Sequence, residues 1–138
     1  MHILLSYIFI LIPLAVIDAL WLTSMAGVYK KYLGHLFISP INMIPVIVFY
    51  PIYAFGIYFL VVKPLIHIAG GVELLSLGKV FAQAFVLGFV AYAAYDLTNH
   101  ATLKDWPLFI TVMDMLWGAF VTGTTATIGV FLMKTFLK

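Results

Sequence analysis

Tyr92-Ala-Ala-Tyr-Asp-Leu-Thr-Asn-His-Ala-Thr-Leu-Lys-Asp-Trp106 is the stretch on which the fold turns. One long apolar run ends inside it, and another begins directly after it at Pro107. The link Ala101–Trp106 is so short that the two flanking helices are expected to be antiparallel neighbours. The same stretch packs a carboxylate, an amide, an imidazole and two hydroxyls into seven residues. On a helix, Tyr92, Asp96, Asn99, His100 and Leu103 follow i, i+3, i+4 spacing and share one face.

The runs on either side belong in lipid. The 138 residues are 65% hydrophobic and 9% charged, whereas a soluble domain carries about 25% charged residues. Such a chain cannot clothe a water-facing surface. At roughly 20 residues per span, this length accommodates four helices and leaves no room for a separate soluble domain. The expected fold is therefore an all-α membrane protein, a four-helix antiparallel transmembrane bundle forming one domain. Its helices should run over about residues 3–28, 42–62, 79–100 and 107–133.

Punctuation along the chain supports these limits. Helix 1 lacks a basic leader and exceeds a signal-peptide core, so it is expected to be a retained span despite Ser24-Met-Ala-Gly27. Tyr29–Pro40 is a polar-aromatic connector suited to the headgroup region. Pro45 falls near the start of helix 2 and Pro51 in its interior, where a kink is expected. Lys63-Pro64 should end helix 2, and Gly70-Gly71-Val-Glu73 marks a loop. Pro107 suits the first turn of helix 4. That helix carries small residues four apart (Gly118, Thr122, Ala126), fit for packing within the chain or for a homodimer seam.

Three of the five acidic residues fall inside spans: Asp18, Asp96 and Asp114. Given four spans, the 1–2 and 3–4 connections lie on one side, here called the connector side. Asp18 lies roughly 4–5 Å from the middle of helix 1, and Asp96 and Asp114 roughly 9 Å from theirs. All three are displaced toward the connector side. Asp18-Ala-Leu-Trp21 and Asp114-Met-Leu-Trp117 repeat one pattern, with acid and indole three residues apart on one helical face. Intramembrane acids are expensive and functional by default, although they can also tie helices together. Three of them converging at one level would repel, so at least one is expected to be protonated or paired with a cation.

The candidate ligand- or proton-binding set is thus Asp18, Trp21, Tyr92, Asp96, Asn99, His100, Asp114 and Trp117. Carboxylates among aromatic rings suit a cationic or amphiphilic molecule, bound or transported. Acid–base chemistry on a lipidic substrate, with Asp96, His100 and Asp114 sharing protons, is the alternative. A scaffold role, in which the polar cluster only holds the bundle, is the third.

Other chemistries find little support. The chain has no cysteine and no His-x-x-x-His or Glu-x-x-His pattern, so neither a metal centre nor a cofactor is expected. His2, His35 and His67 look interfacial. No serine has a nucleophile context, and Gly70-Gly71 lacks a phosphate-binding pattern. A net charge of +2, all of its cations scattered lysines, argues against nucleic acid. Lysine totals favour cytoplasmic termini, whereas Lys30 and Lys31 beside helix 1 favour the reverse. The expected partners are the bilayer and a small cationic or lipidic ligand.

Asp18-Ala-Leu-Trp21, Tyr95-Asp-Leu-Thr-Asn-His-Ala-Thr-Leu103, Trp106-Pro107 and Asp114-Met-Leu-Trp-Gly118 resemble a family of small bacterial integral membrane proteins, catalogued as a domain of unknown function. The likeness spans nearly the whole chain, and Tyr-Asp-Leu-Thr-Asn is its most specific part. It implies a bacterial inner-membrane protein and supplies no reaction or ligand.

Overall fold

In the computed structural model, which describes residues 3–137, four helices carry the chain: α1 (Ile3–Leu33), α2 (Met43–Ala69), α3 (Leu77–Thr102) and α4 (Leu108–Phe136). All four are long and apolar enough to cross a bilayer. The expectations for His2 and for the charge of Lys138 lie outside the described residues.

Several boundaries differ from expectation for identifiable reasons. α1 runs on through Tyr29 to Leu33, because Leu33 packs against Trp106 and Ile110 at the connector end. Lys63-Pro64 does not end α2, which continues to Ala69. Proline clashes with the carbonyl four residues back. Here a π turn over Tyr58–Val62 precedes it, and the Lys63 N–H bonds the Tyr58 carbonyl, so the turn is widened just before Pro64. The helix stops at Gly70, which takes the left-handed conformation (φ 80°) that closes a helix C-terminus. Asn42 caps the start of α2, its Oδ1 accepting from the Ile44 N–H at 3.1 Å. Pro107 stands just before α4 rather than within it, its carbonyl accepting from Ile110 and Thr111.

α4 is the hub. Half of its membrane segment is buried inside the chain, against 17–22% for the other three helices. α3 and α4 form the largest interhelical seam, and α1 packs on α4 next. Val80, Ala84, Gly88 and Asp96 line the buried face of α3, four or eight residues apart. A Cβ on Gly88 would overlap the Gly118 carbonyl and Thr122, and one on Gly118 would overlap the Tyr92 ring. Glycine is needed at both places because the backbones meet there. The row Gly118, Thr122, Ala126 is therefore buried within the chain's own core and does not offer a seam to a second copy. Its hydroxyls are satisfied locally: Thr122 donates to the Gly118 carbonyl at 2.6 Å and Thr125 to the Val121 carbonyl at 2.8 Å.

α2 is held unevenly. Its second half contributes Ile57, Tyr58, Val61, Val62 and Leu65 to the main core, while Met43–Phe49 is almost wholly exposed. At the connector end a cavity opens between α1 and the exposed first half of α2.

Candidate functional site

A cavity of about 500 Å³ lies below the connector. Asp18, Trp21 and Tyr29 of α1, Met43 and Val46 of α2, Tyr92 and Tyr95 of α3, and Asp114 and Trp117 of α4 line it. That size is ordinary for a small-molecule site.

The two Asp-x-Leu-Trp segments meet across the α1–α4 interface and exchange partners. Trp117 donates its indole N–H to Asp18 Oδ1 at 2.9 Å, and Tyr50 donates to Asp18 Oδ2 at 2.9 Å. Asp18 thus accepts on both oxygens. Trp21 donates to the Tyr29 hydroxyl at 3.0 Å, which in turn donates to Asp114 Oδ1 at 2.5 Å. The two indoles stack between these arms. The motifs sit on the first and last helices, so they do not correspond in a duplicated pair of helical hairpins.

Asp114 Oδ2 differs from the other three oxygens on this wall. It has no hydrogen-bond partner among the described residues, and it is not sealed from the cavity. Around the same space, Tyr95 meets Trp106 edge to face at 6.2 Å, and Tyr92 meets Tyr53 in the same manner at 6.3 Å. Trp106 is fixed by its N–H bond to Thr111 Oγ1 at 3.0 Å.

The structure brings together Asp18, Trp21, Tyr92, Asp114 and Trp117. It does not bring in Asp96, Asn99 or His100. Asp96 is completely buried, lines no part of the cavity, and has no partner on either carboxyl oxygen among the described residues. It continues the α3 row that packs so tightly on α4, and that seam closes over it. Among the described residues no three His, Asp or Glu side chains lie close enough together to hold a metal ion. Asn99 is half-buried, and its backbone carbonyl accepts from Leu103. His100 is exposed.

The lining or anchoring residues that the sequence reading leaves unassigned include Tyr29, Tyr50, Tyr95 and Trp106. Tyr29 had a legible signal. Asp18, Trp21, Met25 and Tyr29 follow helical spacing on one face, once α1 is extended into the connector. Tyr50 carried none beyond its place on an aromatic helix.

A family model described as "Predicted membrane protein (DUF2177)" matches residues 3–131. No curated protein and no solved structure matches the chain.

Proposed function

We propose that this chain, which belongs to the DUF2177 family of predicted membrane proteins, binds a small organic cation or cationic amphiphile in the cavity between α1, α2 and α4. The observation that carries the reading is Asp114, with Oδ1 held by Tyr29 and Oδ2 open to an aromatic-walled cavity. An ammonium group there would donate to Oδ2 and lie against aromatic faces. Cation–π attraction is worth about 2 kcal/mol where water is excluded. Asp18 supplies a second carboxylate on the same wall, held rigid by Trp117 and Tyr50.

Asp96 is where coupling of that binding to protons would reside. A bare carboxylate buried without a donor is too costly to persist in a membrane interior, so a proton or a cation accompanies it. A scaffold role accounts for the saturated Asp18 but leaves the cavity and the open Asp114 oxygen unexplained. The catalytic alternative loses its imidazole, since His100 is exposed and lines no part of the cavity. The proposed setting is the inner membrane of a bacterium, on the strength of the motif resemblance. No homodimer is proposed, because Gly118, Thr122 and Ala126 are buried within the chain.

Titration of the purified protein with tetramethylammonium, followed by tryptophan fluorescence, tests the reading. Trp21 and Trp117 line the cavity and should report occupancy. Asp114→Asn removes the carboxylate charge facing the cation and should weaken binding about tenfold, since a pair of unit charges about 4 Å apart is worth about 1 kcal/mol even at the dielectric of water. Equal binding of neopentane, the uncharged carbon isostere of tetramethylammonium, or no response at all, would exclude it.

A further inference from the structure

The polarity of the cavity runs opposite to that of a water-facing site. Its carboxyl and phenol groups, Asp18, Asp114 and Tyr29, are half-buried or buried at the inner wall. Its rim is apolar: Leu22 and Ala26 on α1, Phe37 and Ile41 in the connector, Met43 on α2. These side chains are exposed, with Leu22 at 44%, Phe37 at 53%, Met43 at 54% and Ile41 at 67%. In a bundle that spans the bilayer, exposed apolar side chains at this depth face lipid.

The depth follows from helix geometry. Leu22 lies roughly 12 Å below Lys30, the headgroup-level lysine of α1. Half the hydrocarbon thickness is roughly 15 Å. The apolar rim therefore extends down most of the connector-side leaflet, between α1 and the exposed first half of α2. A water-soluble ligand would have to cross that rim; a molecule already in the leaflet would not.

We infer that the cavity is loaded sideways from the connector-side leaflet, between α1 and α2, by a single-chain amphiphile with a basic or quaternary nitrogen head. The head lies at Asp114 Oδ2, and the tail passes out over Leu22, Ala26 and Met43 into the acyl-chain region. One tail is specified because the rim is a slot between two helices. The cationic head rests on the binding reading given above, whereas the lateral route rests on the rim alone.

The test uses the full chain in phosphatidylcholine vesicles, with tetramethylammonium and dodecyltrimethylammonium as probes and tryptophan fluorescence as readout. Ala26→Phe narrows the slot and should lower the ratio of long-chain to short-chain affinity at least tenfold. In vesicles whose phosphatidylcholine carries mid-chain bromine, wild-type tryptophan emission should be quenched, and dodecyltrimethylammonium should relieve the quenching. This second measurement serves even if Ala26→Phe fails to fold. If both probes bind but Ala26→Phe leaves the ratio unchanged, or the long-chain probe does not relieve the bromine quenching, lateral loading is wrong and cation binding stands. If neither probe binds the wild type, the binding reading fails and the amphiphile with it.

Discussion

Trp21 of α1 and Trp117 of α4 lie face to face, their ring centroids 4.1 Å apart and their planes 7° from parallel. Each follows an aspartate by three residues on its own helix, yet each indole N–H serves the opposite arm. Trp117 bonds Asp18 directly, and Trp21 reaches Asp114 through Tyr29. The stack is thus the clasp between the first and last helices, and it positions both cavity carboxyls.

A double-mutant cycle should detect that clasp. Trp21→Ala and Trp117→Ala are expected to couple by about 0.5–1.5 kcal/mol beyond their separate losses. Unfolding of the four proteins in mixed micelles measures the coupling, and strict additivity would show that the stack adds nothing.

The two most buried aspartates should respond in opposite ways to an amide. Asp18→Asn turns an NH₂ toward one of two donors, Tyr50 or Trp117, and should cost about 1–3 kcal/mol. Asp96→Asn removes no hydrogen bond and should leave stability within about 1 kcal/mol of wild type. Thermal melts rank the pair, and a larger loss at Asp96 would mean that it has partners after all.

Tyr29→Phe should be more damaging than its half-buried position suggests. The phenol is both the acceptor for Trp21 and the donor to Asp114, so two groups lose their partner at once. A loss of about 1–3 kcal/mol is expected. Tetramethylammonium binding should change with it, since Asp114 loses the group that orients it. A variant unchanged in both stability and binding would dissociate Tyr29 from the site.

Glycine substitutions should separate the close seam from the open faces. Gly88→Ala places a methyl on the backbone of Gly118 and should cost about 1–3 kcal/mol, with α3 and α4 forced apart. Gly27→Ala meets nothing within 4 Å and should be neutral or gain up to about 1 kcal/mol from helix propensity. The same melts apply, and equal effects at the two positions would contradict the packing.

Four membrane helices also imply that both termini lie on one side of the bilayer. Reporter fusions at the two ends should therefore behave alike, and opposite signals would remove one of the spans.

Composition and hydropathy by themselves determined the class of this protein, its four helices and the antiparallel pairing of α3 with α4. The reason is local: a run of apolar residues must be helical in lipid to satisfy its own backbone, and a six-residue link can only reverse the chain. Sequence also placed Asp18 and Asp114, each with its tryptophan, on helical faces that turn inward, and both line the cavity. Helical spacing puts acid and indole on one face, and lipid cannot face the acid.

Only the tertiary structure decided what each inward residue meets. Asp96 and Asp114 satisfy the same sequence criteria, yet one is sealed in the α3–α4 seam and the other is open to a cavity. Helical periodicity fixes a face, but the distance to the neighbouring helix depends on Gly88, Gly118 and Thr122 meeting across the seam. His100 shares the Asp96 face by its spacing and is nevertheless exposed. Tyr29 could belong to a headgroup connector or to a helix on propensity alone. Packing of Leu33 on Trp106 and Ile110 extended the helix and swung the tyrosine onto Asp114. Local sequence sets which faces turn inward; how closely the helices approach sets which polar groups are closed off and which remain open to a ligand.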